Sequence, residues 1–539
     1  MNNTKNISIV FLISFLICSL SFAAKFYEDD PLWLDPDRLP IPEPAEVTLS
    51  ETYDLFVNSF KEPGGKEQTK SQNANTLGEV PDSSWFTNRM GRKVLTVEEL
   101  VQGANSGTGP DTANPITIIT AKKQGIVRGF TMQDSRGDIY FLKFDPPGYP
   151  QLSTSAEVIT TKFFHAFGYN VPENYITFIR RDQLVIGPDA RVPISKTQTR
   201  KMTEKDIDEV WKKVPVTSDG RIQAVASFLI PGEIVGQFRY YGTRPDDLND
   251  IFPHQNRREL RGLRVFSAWL NHDEAHATNT IDSYLAEEGT NHIKHYLIDF
   301  GSTLGSGTTK PNERRGGNEY YVEWGPILKS AYTLGLWDRP WRRIHYANYP
   351  SIGRIESDYF QPQNWKTHYP NPAFLKMENE DALWATKIVM RFNDEMVRAL
   401  VQTGELIDKE AEGYLVQTLI RRRDKIVHYY LTQLNPLDEF AIVNNDLSFK
   451  NLGQDAGISN SATYQYQWFQ FDNDKTSSQS LGTEESTKNS QIPVVTSSAD
   501  YLMVRIRTIH PNQPNWKKSV DVYIHNGEAM KVVGIEREN

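Results

Sequence analysis

The stretches NHDEAHATN, at residues 271–279, and HYLIDFG, at residues 295–301, give the clearest indication of the fold. The first follows apolar residues at helical spacing from Arg258 to Leu270. The second is an apolar strand that ends in an acidic tripeptide, and another short strand around Tyr284 precedes it. The sequence therefore predicts a helix, a loop rich in acidic and histidine side chains, and a hairpin, in this order.

An antiparallel meander is predicted upstream of these stretches. Apolar runs separated by turn residues predict three strands, at residues 116–119, 130–132 and 139–144. Lys143 lies on the last of them, on the same face as Ile139 and Phe141, because side chains alternate along a strand.

A helix is predicted directly after the meander. Ser153 or Ser155 can cap it, and Gly168 can end it. Glu157 is expected in the first turn, where a carboxylate is also favoured by the helix dipole.

This order of elements resembles the protein-kinase-like superfamily, especially atypical bacterial members such as the HipA-type kinases. The resemblance extends over about residues 115 to 430. It implies an α+β, bilobal protein-kinase-like fold within residues 111–435. The antiparallel β N-lobe would span about residues 111–240 and the helical C-lobe about residues 241–435. It also implies a phosphotransferase that uses ATP or another nucleotide with Mg²⁺ or Mn²⁺.

The resemblance assigns four residues to nucleotide binding. Lys143 would contact the phosphates, and Glu157 would hold this lysine by an ion pair. Residues 122–128, with Gly125 and Arg128, would form the loop that covers the phosphates. This loop lacks the full glycine triplet of protein kinases, so Arg128 or other backbone amides would have to compensate.

Asn279 and Asp299 are the metal ligands that the resemblance implies. Both side chains offer oxygen atoms, which suit Mg²⁺, and phosphate oxygens would complete the coordination shell.

The catalytic base is left open between two acids. In the superfamily an Asp usually stands five residues before the metal-binding Asn, and that position is Glu274 here. Asp273 is one residue further away, and His276 occupies the companion position between the acid and the Asn. Either acid can orient a hydroxyl nucleophile. The Glu also raises the alternative of a catalytically inactive pseudokinase that binds or scaffolds.

A zinc-dependent hydrolase is the second alternative. The residues from His272 to His276 nearly match H-E-x-x-H, in which two histidines one helical turn apart bind zinc. His292 or His295 would supply a third ligand.

The N-terminus predicts export. Residues 1–23 form a signal peptide with Lys5, an apolar run at residues 7–20 and a cleavage site after Ala23. Cys18, the only cysteine, lies inside it, so the mature chain has no disulfide and no thiolate site. No later apolar run is long enough to span a membrane. We therefore expect a periplasmic or extracellular protein.

The flanking regions and the overall charge complete the predictions. Residues 24–110 read as a Pro-rich and polar arm anchored by Trp33, Leu34 and Phe56. Residues 436–539 read as a polar linker and a small β-rich module, through which a protein of the cell envelope could bind. The net charge of −9 argues against a nucleic-acid-binding surface.

Overall fold

The structure is a computed structural model that describes residues 24–121, 129–195, 198–286, 290–307 and 309–538. The predicted signal peptide lies outside the described residues, as do Gly125 and Arg128 of the predicted phosphate loop. Within these ranges the chain is a mixed α+β structure, as the sequence predicts. No helix in this part of the chain is long and apolar enough to cross a membrane.

The region predicted as an arm contains two helices, α1 (Glu51–Phe60) and α2 (Val97–Gln102). Two of the predicted anchors were wrong, because Leu34 and Phe56 are 63% and 54% exposed; Trp33 is 37% exposed, and its ring contacts Arg92. Trp33 and Leu34 belong to a Pro-rich stretch on the surface, and Phe56 lies on α1; single exposed apolar side chains are common at a protein surface.

Other aromatic residues anchor this N-terminal region. Phe86 is fully buried in the largest hydrophobic core. Trp85 stacks on His295 with the ring centroids 3.5 Å apart. Phe26 packs beside Phe471 and Tyr523 of the C-terminal module. Residues 24–110 therefore join the main body to the C-terminal module instead of acting as a loose linker.

A large sheet with one helix on each face follows. Its strands and helices are β1 (Ile116–Ala121), β2 (Gly129–Gln133), β3 (Ile139–Phe144), α3 (Leu152–Phe167), β4 (Asn174–Ile179), β5 (Leu184–Pro193), β6 (Thr199–Lys201), α4 (Glu204–Trp211) and β7 (Ile222–Phe228). Among the described residues the strand order is β4-β7-β3-β2-β1-β5-β6. In the part of this sheet that the structure describes, only the β1–β5 pair is parallel. β1 pairs with β2, and β2 with β3, in antiparallel register, which confirms the predicted meander.

The alternation along β3 separates a core face from a cleft face. Tyr140, Leu142 and Phe144 are buried in the core between the sheet and α4. Phe141 and Lys143 point the other way, toward α3 and the cleft beyond it.

The next part of the chain consists of a small three-stranded sheet and most of the helices. Its elements are β8 (Glu233–Ile234), α5 (Arg258–Leu270), β9 (Thr280–Leu285), β10 (His292–Leu297), α6 (Trp324–Tyr332), α7 (Pro372–Leu375), α8 (Asn379–Met390), α9 (Asp394–Gln402) and α10 (Lys409–Leu431). The α5 bounds agree with the predicted helix. β9 and β10 form the predicted hairpin, although residues 287–289 of its turn lie outside the described residues.

Close packing fixes α5 in the centre of the helical region. A Cβ at Gly262 would lie 2.6 Å from the Trp384 ring, so α5 and α8 approach closely only because this residue is glycine. The indole of Trp269 donates a hydrogen bond of 2.8 Å to the Leu419 carbonyl of α10. The loop that follows α5 therefore starts from a rigid support.

The C-terminal module is built from two small sheets. Its elements are β11 (Leu437–Val443), β12 (Asp446–Asn451), α11 (Leu452–Asp455), β13 (Thr463–Asp472), β14 (Ser477–Ser480), β15 (Glu485–Thr487), β16 (Gln491–Pro493), β17 (Tyr501–Ile509), β18 (Val520–Asn526) and β19 (Met530–Arg537). The predicted pairing of β17 with β18 is confirmed. β11 begins within six residues of the α10 end, and the polar stretch at residues 474–490 contains the short strands β14 and β15.

Candidate active site

One cation and two carboxylates meet at the edge of the cleft. Nζ of Lys143 lies 3.1 and 3.0 Å from the two carboxylate oxygens of Glu157 and 2.9 Å from Oδ1 of Asp299. The Glu157 side chain is almost fully buried, whereas 48% of the Asp299 side chain is exposed. Burial alone would lower the pKa of Lys143, but the two carboxylates outweigh it and raise the pKa above its ordinary value.

The position of Glu157 depends on how α3 starts. Asp145, just after β3, accepts hydrogen bonds from the backbone N–H groups of Gln151, Ser153 and Thr154, at 2.8 to 2.9 Å. The expected serine caps were therefore wrong, since a buried carboxylate from the preceding strand serves the helix start. Glu157 is the sixth residue of α3 and lies beyond the first turn, where the sequence had placed it. Its carboxylate therefore contributes to the ion pair with Lys143 and not to the helix dipole.

Asp299 is presented to the cleft by a strained turn. Its φ of 64° lies in the left-handed region, which is uncommon for a residue with a side chain. Phe300 is fully buried, and its ring centroid lies 4.7 Å from that of Phe164 on α3. A Cβ at Gly301 would lie 2.6 Å from Oγ of Ser153, so this turn packs directly on the helix that carries Glu157.

The loop after α5 places Asp273 in the interior. Asn271 ends the helix in a left-handed conformation with φ of 50°. The Asp273 carboxylate is fully buried, accepts a 2.7 Å hydrogen bond from Nδ2 of Asn312, and lies 3.3 Å from Nε2 of His368. The carboxylate raises the pKa of His368 above its ordinary value, although burial acts in the opposite direction. Through Asp273, these contacts join the loop after α5 to segments that lie about 40 and 95 positions further along the chain.

Glu274 has the environment of an acid–base group. Burial raises the pKa of its carboxyl to about 7, and the negative charges of Asp273 and Asp299 act in the same direction. Glu274 nevertheless keeps part of its surface accessible to solvent, whereas Asp273 is fully buried. Of the two acids that the sequence left open, Glu274 is therefore the better candidate for proton transfer.

Asn279 stands between the loop and the hairpin. Its Nδ2 donates a 3.0 Å hydrogen bond to the carbonyl of Glu274, and its own carbonyl accepts a 3.1 Å bond from the backbone of Ile298. The amide nitrogen thus faces the loop, and this bond leaves the side-chain oxygen unused. Asn279 is also tied, through Ile298, to the strand end that carries Asp299.

The histidines do not form the predicted zinc site. The helix ends at Leu270, so His272 and His276 are not one helical turn apart on a single face. His295, one of the expected third ligands, binds Oδ1 of Asp282 at 2.7 Å. Among the described residues, no three His, Cys, Asp or Glu come together in a group that could hold a metal ion. His276 is buried, stacks on Tyr369 at 4.9 Å and has a pKa lowered to about 3 by burial.

A mostly apolar cavity of about 610 Å³ opens beside Lys143. Strands β1 to β3 line one wall, and Ile234, Ile281 and Ile298 line the opposite one. Phe228, the last residue of β7, and the two residues after it also line the cavity. The charged lining residues are Lys143, Glu157 and Asp299. The cavity could hold a flat apolar group with an anionic group near the lysine.

Several residues of the site were not predicted from the sequence. Asn174 bonds Thr161 at 2.8 Å and Glu157 at 3.4 Å, and so supports the carboxylate from β4. Asn312 and His368 reach Asp273 from positions far along the chain. No local pattern marks these three residues, since each acts through a tertiary contact.

No family model matches the chain, and no curated protein matches it in sequence. One solved structure, described as that of a Helicobacter pylori proinflammatory kinase, CtkA, is similar at 14% sequence identity with a TM-score of 0.29. The match covers 60% of this chain and 93% of that chain. The likeness is weak, and we base the function on the geometry of the site.

Proposed function

We propose that the chain is an exported, kinase-like phosphotransferase that moves a phosphoryl group from ATP or another nucleotide to a hydroxyl acceptor. The observation that carries this proposal is the contact of Lys143 with both Glu157 and Asp299 at the edge of an apolar cavity. A phosphotransferase requires a fixed cation for the phosphates and acidic groups for a metal, beside a pocket for the base.

The cavity accounts for the nucleotide. The isoleucines of one wall and the strand residues of the other would enclose a planar base. The phosphates would then lie toward Lys143, whose charge is maintained by its two carboxylate partners. The predicted contacts from Gly125 and Arg128 stay a prediction.

The residues present fit a divalent cation. Asp299 offers a partly exposed carboxylate, and Asn279 offers an amide oxygen that is not used in its bond to Glu274. These are hard oxygen donors of the kind that Mg²⁺ and Mn²⁺ bind, with nucleotide phosphates as the further ligands. When bound, the ion would neutralise charge that develops on the phosphates.

Glu274 would act as the base toward the acceptor hydroxyl. With a pKa of about 7, a large fraction of its carboxyl is ionised at neutral pH and can accept a proton. Asp273 would hold the loop in place through Asn312 and His368.

A catalytically inactive, nucleotide-binding scaffold protein is the second candidate. It is favoured by one observation, the longer Glu274 side chain at the position where the superfamily usually has Asp. Export to the periplasm or the extracellular space, and a cell-envelope partner for the C-terminal module, remain part of the proposal. Fractionation of cells that express the full chain tests the compartment.

Thermal unfolding with ATP and Mg²⁺ or Mn²⁺ tests the nucleotide site. The chain from Ala24 onward is compared with Asp299→Ala and with Asp358→Ala, a control that removes an acid whose side chain is 81% exposed. A ligand at a hundredfold excess over its Kd stabilises the folded state by about 2.7 kcal/mol. We expect a metal-dependent rise in Tm for the parent and the control only. No rise with any nucleotide, or an equal rise in Asp299→Ala, would refute the site. Binding without phosphoryl transfer to any hydroxyl acceptor would favour the scaffold.

A further inference from the structure

A projecting segment at residues 324–343 carries apolar side chains that the described part of the fold leaves uncovered. Its helix α6 has no buried residue. Trp324 and Leu328 on this helix are 60% and 62% exposed. Tyr332, Leu334 and Leu336, at the end of the helix and just beyond it, are 89 to 91% exposed. Single exposed apolar residues are ordinary, but a cluster of this size marks an interaction site.

The segment is basic in an acidic protein. It carries Lys329, Arg339, Arg342 and Arg343 against Asp338, a net charge of +3, whereas the whole chain carries −9. Arg339 is mostly covered and pairs with Glu319 at 2.9 Å, so the exposed basic side chains are Lys329, Arg342 and Arg343. The side chains of Arg342 and Arg343 are 57% and 74% exposed, and their ion pairs with Asp338 are shared between them. An anionic surface would therefore attract this segment and repel most of the remaining protein.

We propose that residues 324–343 dock the protein on the surface of an anionic lipid bilayer. Tyr332, Leu334 and Leu336 project almost fully into solvent, as side chains that insert between lipid headgroups must, and do not line a groove for a partner's side chains. Aromatic residues such as Trp324 favour the membrane interface, and Lys and Arg favour anionic headgroups.

Both ends of the segment are fixed to the body of the protein. Before α6, the backbone N–H of Tyr321 donates a 2.6 Å hydrogen bond to the carbonyl of His368. After α6, Ile344 is buried, and its carbonyl accepts a 2.6 Å bond from the guanidinium of Arg314. The apolar cluster is thus held out from a firm base. The docking does not depend on the proposed phosphotransferase function.

Vesicle co-sedimentation tests the docking. The chain from Ala24 onward is used, so that the apolar run at residues 7–20 cannot itself bind lipid. This shortened chain keeps the hydrophobic clusters of the described residues, the first residue of which is Phe26. Vesicles of phosphatidylcholine are compared with vesicles that also contain phosphatidylglycerol. We expect binding to the anionic vesicles that weakens at high salt, because salt screens the attraction.

Two sets of variants locate the surface. The triple variant Tyr332→Asn, Leu334→Asn, Leu336→Asn should lower the partition coefficient about tenfold or more, since it removes most of the inserted apolar area. These side chains are nearly fully exposed, so the fold should persist, which circular dichroism checks. The matched control replaces three exposed apolar residues elsewhere, Leu248, Ile251 and Ile407, by Asn and should bind as the parent does.

The charge is tested separately by Lys329→Gln, Arg342→Gln, Arg343→Gln. This variant should lose about tenfold or more of its affinity for anionic vesicles, since it removes three positive charges that the anionic headgroups attract. Three results would overturn the proposal. The first is that the parent binds neither kind of vesicle. The second is that the apolar triple variant binds anionic vesicles as well as the parent does. The third is a parent dimer in lipid-free solution that the apolar variant dissociates, which would make this face an interface between copies of the chain.

Discussion

Nζ of Lys143 lies 2.9 Å from Oδ1 of Asp299, although 156 positions separate the two residues in the sequence. Helix α3 makes this contact possible, because Phe300, next to Asp299, packs on Phe164 of the helix. The helix also carries Glu157, which holds the same ammonium group from its buried side. A single lysine thus joins the sheet, the helix and the turn after β10, and the predictions below follow from this arrangement.

The Lys143–Glu157 pair should be required for both stability and nucleotide binding. Lys143→Met leaves the Glu157 carboxylate buried without its cation, and we expect a loss of about 3 kcal/mol in unfolding free energy. Urea denaturation measures this loss, from the first unfolding transition of each protein. The double variant Lys143→Met, Glu157→Gln should regain most of the stability but none of the nucleotide affinity. Nucleotide binding by the double variant at the parent's affinity would contradict the role of the lysine.

The rate of phosphoryl transfer should rise with pH through about 7. The Glu274 carboxyl has a raised pKa of about 7, so below this pH most of it is protonated and cannot accept the proton of the acceptor hydroxyl. Glu274→Gln should lower kcat by a factor of about 100 or more and remove this rise. A pH profile of nucleotide turnover for both proteins measures the effect. An unchanged profile in the variant would assign the rise to another group.

Gly301→Ala should weaken nucleotide binding through the position of Glu157. The added Cβ would lie 2.6 Å from Oγ of Ser153 and 3.0 Å from Oε2 of Glu157, so the carboxylate or the turn has to move. We expect a nucleotide Kd raised about tenfold, which corresponds to about 1.4 kcal/mol, by calorimetric titration. The control is Gly413→Ala in α10, where nothing lies within 4 Å of the new methyl group. This control should bind normally and gain helix stability of about 0.5 to 1 kcal/mol.

Asp273→Asn should separate positioning from catalysis. Asp273 is fully buried against Asn312 and His368, so loss of its charge should cost about 1 to 3 kcal/mol of unfolding free energy. The pKa of His368 should fall, because Asp273 raises it. The rise of the turnover rate with pH should persist, unlike in Glu274→Gln, but at a lower pH, because the charge of Asp273 helps to raise the pKa of Glu274. If the rise disappears in Asp273→Asn while the stability is unchanged, Asp273 is the base.

Local pattern was sufficient for elements with strong periodicity. The helix Arg258–Leu270, the meander up to Lys143 and the hairpin before Asp299 agree with the structure, because each depends on neighbouring residues along the chain. The start of α3 could not be predicted in this way. Its cap is Asp145, a carboxylate outside the helix, and the nearby serines gave a stronger local signal.

The sequence by itself determined which residue types stand at the candidate site: Lys143 on the cleft face of its strand, and Asp299 at the end of an apolar strand. Alternation and periodicity are local properties, so they survive without knowledge of the fold. Only the tertiary structure showed that Asp273 is fully buried while Glu274 is partly accessible, that His272 and His276 do not share a helix face, and that Trp85 and Phe86 anchor the N-terminal region. Burial and ion pairing between distant segments decide these points, and both depend on which parts of the chain come together.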